Sequence, residues 1–319
     1  MAALLDPAIL FFVFGIVAGL LRSNLEIPPP IARFLSLYLL MALGLKGGFA
    51  LAQSGLTIEV GMTLGAALFL AVLVPALGYG VLRRFLNGFD AAAVAATYGS
   101  VSAVTFITAV QMLDAQHISF GGHMAAAMAL MESPAIVMAV LLANKARRAT
   151  GAEGPQTGVG SLLKESLTDG AQLLLMGAMV VGMLSGEAGQ QAMQPFSGDL
   201  FKGMLAFFLL DMGLQAARHM QALRSLHPGA WAYALLAPLV HASLALAVSW
   251  LLGLSVGDGV LLMALAASAS YIAVPAVVRH AIPEANPALY LGMSLGMTFP
   301  FNILVGLPLY MKAAQAVLA

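Results

Sequence analysis

DAAAVAATYGSVSA, residues 90–103, and DGVLLMALAASASY, residues 258–271, are two versions of one segment: an acid, an uncharged run, then Ser-x-Ser ten and twelve positions after the acid. At 1.5 Å per helical residue, ten residues cover about 15 Å, half of a hydrocarbon core of about 30 Å. Both serine pairs therefore fall near mid-membrane if these segments span one. Two other stretches repeat at nearly the same offset. Gly44, Leu45, Lys46, Gly47 and Gly48 correspond to Gly213, Leu214, Gln215, Ala216 and Ala217, and Met131, Glu132, Ser133 and Pro134 to Met297, Thr298, Phe299 and Pro300. Such near-constant spacing over three separate segments marks a duplication.

Composition sets the class. The chain is 61% hydrophobic and 9% charged, against an ordinary charged share of about 25%. That is a polytopic membrane protein, with the lipid bilayer as its solvent. The start, MAALLDPAILFF, has no basic region and no small-residue cleavage site, so the first helix is expected to stay. No cysteine is present, which excludes disulfides and thiolate metal sites. Zero net charge gives no nucleic-acid footprint.

Ten spans fit the uncharged runs, at about residues 7–21, 31–52, 60–82, 90–112, 120–144, 168–185, 200–218, 229–253, 258–280 and 287–311. A first five-helix repeat over 1–145 and a second over 167–319 flank a polar, Gly-rich linker, 146–166. Eleven of the fourteen Lys and Arg, among them Arg22, Arg83, Arg147, Arg218 and Arg279, fall in loops on one side, which the positive-inside rule makes cytoplasmic. Both termini then face outward. Each repeat has an odd number of spans, so the second runs inverted. The expected architecture is an all-α integral membrane protein of ten helices in two inverted five-helix repeats, with broken helices in spans four and nine crossing at the centre.

Inverted repeats with broken helices at mid-membrane are the pattern of secondary transporters. Breaks at Ser102 and Ser270 would each expose a helix N-terminus worth about half a positive charge, which suits a small monoanion. Thr105 stands one turn after Ser102. Pro275 withholds an N–H from the Tyr271 carbonyl and biases Val274 away from helical geometry. Glu132 is a mid-membrane carboxyl, costly there and expected to act on an ion or substrate. The plainer alternatives are serines that bond back one turn or permit close packing, an Asp211 that pairs within the fold, and a Lys46 that reaches the interface. No histidine pair has metal-ligand spacing, no phosphate-binding loop is present, and no nucleophile with its base accompanies the serines, so neither ATP-driven transport nor an enzyme is expected.

The stretch AASASYIAVPAVVRHAIPEANPALYLGMSLGMTFPFNILVGLPLY, with GLKGG, YGSVSAVTFITAV and MESPAIV, resembles the sodium-dependent bicarbonate transporter family first associated with cyanobacterial carbon concentration, and more closely its branch in other bacteria. The resemblance implies a gate domain from spans 1, 2, 6 and 7, a core domain from spans 3, 4, 5, 8, 9 and 10, a homotrimer in the bacterial cytoplasmic (inner) membrane, and uptake of bicarbonate with sodium as coupling ion. The family's first serine-rich break maps onto Gly99, Ser102 and Thr105, its second onto Ser268, Ser270, Ile272, Pro275 and Arg279. Tyr271 stands where cyanobacterial members have aspartate, and Ala103, Val104, Ala273 and Val274 where they have small or hydroxyl residues.

The expected substrate-binding set is Gly99, Ser100, Ser102, Ala103, Thr105, Ser268, Ala269, Ser270 and Tyr271. The expected cation-coupling set is Glu132, Ser102, Ser270, Thr298 and Asn302, with sodium at Glu132, Ser102 and Ser270; no organic cofactor is expected. Loss of an acid at Tyr271 leaves proton coupling open, and the apolar replacements leave a small carboxylate open as substrate. A passive anion channel or a sensor without flux is a further alternative. A cytoplasmic regulatory partner has no support from any motif.

Overall fold

Residues 6–55, 57–150, 168–220 and 226–319 are described in a computed structural model, and all regular structure among them is helical. Starts of helices follow local chemistry. Asp6 accepts the Ala8 N–H at 2.9 Å to open α1 (Pro7–Leu20), whose proline needs no N–H partner in the first turn. Next come α2 (Pro29–Ser54) and α3 (Ile58–Leu82), the latter capped by the Thr57 hydroxyl. The fourth expected span is two helices, α4 (Gly88–Gly99) and α5 (Ala103–Ala115), followed by α6 (His123–Thr150). The second half holds α7 (Gly170–Met193), a π-helical turn over Gln194–Asp199, α8 (Phe201–Met220) and α9 (Pro228–Leu252). The ninth span is again divided, into α10 (Val256–Ala267) and α11 (Ala273–Ala281). A last continuous helical run, α12 (Pro287–Leu318), contains π-helical stretches at Gly292–Thr298 and Asn302–Gly306.

Among the described residues seven helical runs are long and apolar enough to cross a membrane, and α1 and α10 are shorter apolar helices. Large apolar side chains such as Phe14, Phe69, Leu184 and Trp250 point outward, a surface suited to lipid and not to water. The chain is a multi-pass membrane protein. Expected span ends shift most at the fifth, sixth and tenth spans, the last of which runs on to Leu318, past the expected 311. α6 runs on to Thr150, past the boundary expected at 145, and residues 151–166 of the expected linker lie outside the described residues. α7 continues to Met193 through a kink at Gly186, whose φ of 54° a side chain would disfavour.

Two groups of helices are evident from the packing. α1 lies along α8 and α2 along α7, and both contacts are close because glycines meet. A Cβ on Gly48 would stand 2.1 Å from the Met179 carbonyl oxygen, and one on Gly213 would stand 2.2 Å from that of Phe12. Small residues let backbones approach where no water drives association. Both pairs run parallel, since Gly44 meets Leu175 and Gly48 meets Gly182, while Gly15 meets Gly213 and Gly19 meets Ala217.

The second group is built around the divided helices. Ala91 to Gly99 of α4 and Gly259 to Ala267 of α10 are buried throughout, with α3, α6, α9 and α12 around them. Polar ends lock this group reciprocally. Asn87 caps α4, and Asp90 accepts the Asn286 N–H at 2.8 Å at the head of α12. Ser255 caps α10, and Asp258 accepts the Gly121 N–H at 2.7 Å at the head of α6.

Candidate functional site

Gly99 ends α4 against Pro75, so close that a Cβ there would stand 2.6 Å from the ring. The chain then extends through Ser102, which has φ −105° and ψ 110° and caps α5. The Ser102 hydroxyl oxygen accepts from Thr105 N at 3.2 Å and from the Thr105 hydroxyl at 3.1 Å, and the hydroxyl donates to the Tyr271 hydroxyl oxygen at 3.4 Å. In the second break, Ser268 donates its hydroxyl to the Leu265 carbonyl at 2.9 Å and accepts the Ser102 N–H at 2.9 Å. The Ser270 N–H donates to the Thr97 carbonyl at 2.8 Å. Each break thus satisfies backbone groups of the other, as a non-helical chain inside apolar protein must.

The two breaks are not copies in detail. Ile272, not Ser270, occupies the cap position of α11 and makes no side-chain cap, while the Ser270 hydroxyl accepts the Val274 N–H at 3.3 Å. Val274 is helical, contrary to the bias expected from Pro275. The proline is the third residue of α11, where a missing N–H leaves no helical bond unmade.

A cavity of about 340 Å³ opens where the breaks face α2, α6, α7 and α8. Its wall includes Val101 to Val104 from the first break and Ser270 to Ala273 from the second. The first residues of α5 and α11, whose N–H groups have no partner earlier in the same helix, therefore border one space. Glu132 of α6 joins them there, half-buried, and accepts a short hydrogen bond from the Gln172 amide of α7. Ser36, Asp169, Phe208 and a majority of apolar side chains complete the wall, and among the described residues that line it none is Lys, Arg or His.

Of the expected substrate set, Ser102, Ala103, Ser270 and Tyr271 border the cavity. Gly99, Ser100, Thr105, Ser268 and Ala269 lie behind it, and of these Ser100 has a buried hydroxyl without a partner. Of the expected coupling set, Glu132, Ser102 and Ser270 border it. Thr298 and Asn302 do not: Thr298 donates to the Ala234 carbonyl at 2.7 Å and meets the Tyr98 hydroxyl, and the Asn302 amide donates to the Ala267 carbonyl at 2.8 Å, closing the end of α10. Among the described residues no group of three or more His, Cys, Asp or Glu is arranged for a metal ion; beside the breaks a sodium ion could draw on the Glu132 carboxylate with neutral oxygens, while Asp169, the other carboxylate lining the cavity, accepts the Ala171 and Gln172 N–H groups. Asp211 is paired within its own helix, accepting from the Gln215 amide at 2.6 Å, and Lys46 meets Asp114 at 3.4 Å.

Sequence reasoning passed over Gln172. Its signal was nonetheless available, since it is the only polar residue between Asp169 and Ser185. Close to a span end it reads as interfacial; only the crossing of α6 and α7 makes it a cavity residue. Ser36 and Phe208 carried no comparable signal.

A family model described as the Na+-dependent bicarbonate transporter superfamily matches residues 7–315. Comparison with curated proteins gives no match.

Proposed function

The chain belongs to the Na+-dependent bicarbonate transporter superfamily, a transporter family and not an enzyme family, and from that premise we propose that it is a secondary active carrier that takes up bicarbonate with sodium by alternating access. One observation carries this reading: two helix N-termini and the Glu132 carboxylate border the same cavity, with no cationic side chain among the described residues that line it, while the other lining acid, Asp169, caps the start of α7. The N-termini of α5 and α11 together offer about one unit of positive charge to a monoanion. Glu132 repels that anion unless a cation neutralises it. Anion entry and cation binding thereby favour each other, which is the electrostatic basis of symport. Glu132 would supply the charged oxygen for sodium, and Ser102, Ser270 and Tyr271 neutral ones. A proton on Glu132 would satisfy the same charge balance.

The transport cycle rests on an inverted repeat. Three facts support it: α1 pairs with α8 as α2 pairs with α7, both in parallel; Asp90 and Asp258 make equivalent latches to opposite repeats; and the breaks exchange backbone bonds. In this reading ten spans form a gate of α1, α2, α7 and α8 and a core of the rest. The Arg-bearing ends face the cytoplasm, both termini face outward in the bacterial inner membrane, and three chains associate. Alternating access is then movement of the core against the gate.

A second substrate class has a specific observation in its favour. Ala103, Val104, Ile272 and Ala273 border the cavity, and such surfaces suit a small carboxylate with a hydrocarbon end better than bicarbonate, which seeks hydrogen bonds on all three oxygens. Uptake of labelled bicarbonate, acetate and pyruvate into proteoliposomes, each with and without a sodium gradient, tests the proposal. Saturable, sodium-dependent bicarbonate uptake is expected. Uptake of acetate or pyruvate alone would move the assignment to small carboxylates, and bicarbonate flux without stimulation by substrate on the opposite side would make the chain a channel.

A further inference from the structure

The Gln172 amide lies in the contact between the two helix groups. It is the third residue of α7, whose start is fixed by Asp169: that carboxylate accepts Ala171 N at 2.9 Å and Gln172 N at 3.2 Å. The side chain is only 8% exposed. Its Nε2 donates to Glu132 Oε2 and reaches the Ala129 carbonyl at 3.5 Å, so both acceptors belong to α6. α7 packs along α2, in the other group from α6. One amide therefore joins the carboxylate of the cavity to the facing body.

An N–H donor and a cation compete for the same carboxylate oxygen. We propose that Gln172 is a positioning residue that lowers the sodium affinity of Glu132 in the arrangement seen here, by occupying Oε2 from the opposing helix group. This rests on the reading of Glu132 as the coupling carboxylate. The consequence follows from linkage: whatever the amide contributes to this arrangement is lost when sodium takes the oxygen, so sodium favours separation of α6 from α7, and closure of α7 on α6 expels sodium. Only the arrangement with the amide in place releases the ion readily. The contact lies at the end of the cavity marked by Asp169 and Ser36, the end assigned above to the cytoplasm, where an uptake carrier must let its ion go.

Sodium titration of the purified chain tests this, reading sodium-dependent thermal stabilisation in wild type, Gln172→Leu, Gln172→Met and Glu132→Gln. Removing a hydrogen bond to a charged group is expected to tighten the apparent sodium affinity about tenfold in both Gln172 variants. Release should then slow, lowering the maximal uptake rate while the sodium concentration for half-maximal uptake falls. Leu and Met bracket the shape of glutamine, so a packing defect in one is separable from loss of the amide. Unchanged or weaker sodium affinity in both, beside a wild type whose sodium response disappears in Glu132→Gln, would overturn this proposal alone. A wild type without a sodium response, or a Glu132→Gln variant that keeps it, would remove the functional reading of Glu132 and this proposal with it.

Discussion

Ser102 shows how much one hydroxyl does at this site. Its oxygen accepts two donors from Thr105 and its proton goes to the Tyr271 hydroxyl, so it caps α5 and ties the two breaks together. A direct ligand role would have to compete with those bonds. Glu132 is different, since its carboxylate borders open space and is met by one amide. Glu132→Gln keeps the shape and removes the charge; uptake is expected to lose its sodium stimulation while the purified protein keeps its wild-type oligomer size, measured by flux with and without sodium beside size-exclusion chromatography. Sodium stimulation equal to wild type would take Glu132 out of the mechanism. Outside the spans, Glu284 gives a pH prediction. Burial pulls its carboxyl up, but the hydrogen bonds and charge of Arg147 outweigh this and hold it below the usual carboxylate range. A carboxyl with a lowered folded value stabilises fully above its unfolded value of about 4.3 and loses that contribution as pH falls through the lower folded value. The stability difference between wild type and Glu284→Gln should therefore be constant above about pH 5 and vanish with further acidification, as read by thermal unfolding across pH. Serines and a carboxylate in apolar spans were legible in the sequence because burying them is costly. Gln172 was not, because the cost depends on which helix crosses above it.

The breaks themselves were legible at the level of elements, for the repeated Ser-x-Ser marked both. Their internal chemistry was less so. Thr298 and Asn302 stand in the expected coupling set, yet Asn302 spends its amide on the last carbonyl of α10 and accepts the Tyr310 hydroxyl at 2.8 Å. A helix that ends inside protein leaves carbonyls that need such partners, and no local pattern tells a capping amide from an ion ligand. The acids that open the repeated segment have a similar use. Asp90 and Asp258 each accept a backbone N–H from the loop that starts the last long helix of the other half of the chain. They are latches between the two halves of the chain and lie outside the cavity. Asp258→Ala removes both the Gly121 bond and the bond from the Ser255 hydroxyl at 2.9 Å; a loss of about 1–3 kcal/mol in unfolding free energy is expected, with sodium dependence of the residual flux unchanged. Chemical denaturation in detergent measures the first, and the ratio of flux with and without sodium the second. A change in that ratio would place Asp258 in the transport chemistry after all.

At the scale of the whole molecule the two ends of the contact between the helix groups differ. Near Ser36 and Asp169 the cavity separates them, apart from the contact of the Gln172 amide with Glu132. Further along α2, Gly47 and Gly122 bring the backbones of α2 and α6 together, with a Cβ on Gly122 only 2.2 Å from the Gly47 carbonyl oxygen. Beside them Lys46 of α2 reaches Asp114 of α5 at 3.4 Å and lies 4.6 Å from the centre of the Phe201 ring. An exposed ion pair contributes little to stability, about 0–1 kcal/mol. Its position matters more, because it joins the two groups at the end opposite the opening. A cavity open at one end and closed at the other is one of the two states that alternating access requires, and the other state must part Lys46 from Asp114. The absence of native cysteine makes this directly testable. A Lys46→Cys, Asp114→Cys double variant, bridged by a short bifunctional thiol reagent, is expected to lose uptake nearly completely and to regain it when a cleavable bridge is reduced, while each single variant treated alike keeps it. The bridged protein should still bind sodium, read by thermal stabilisation, because the cavity remains open at its other end. Full uptake through an intact bridge would mean that the groups do not separate there, and that the carrier cycles by some movement other than core against gate.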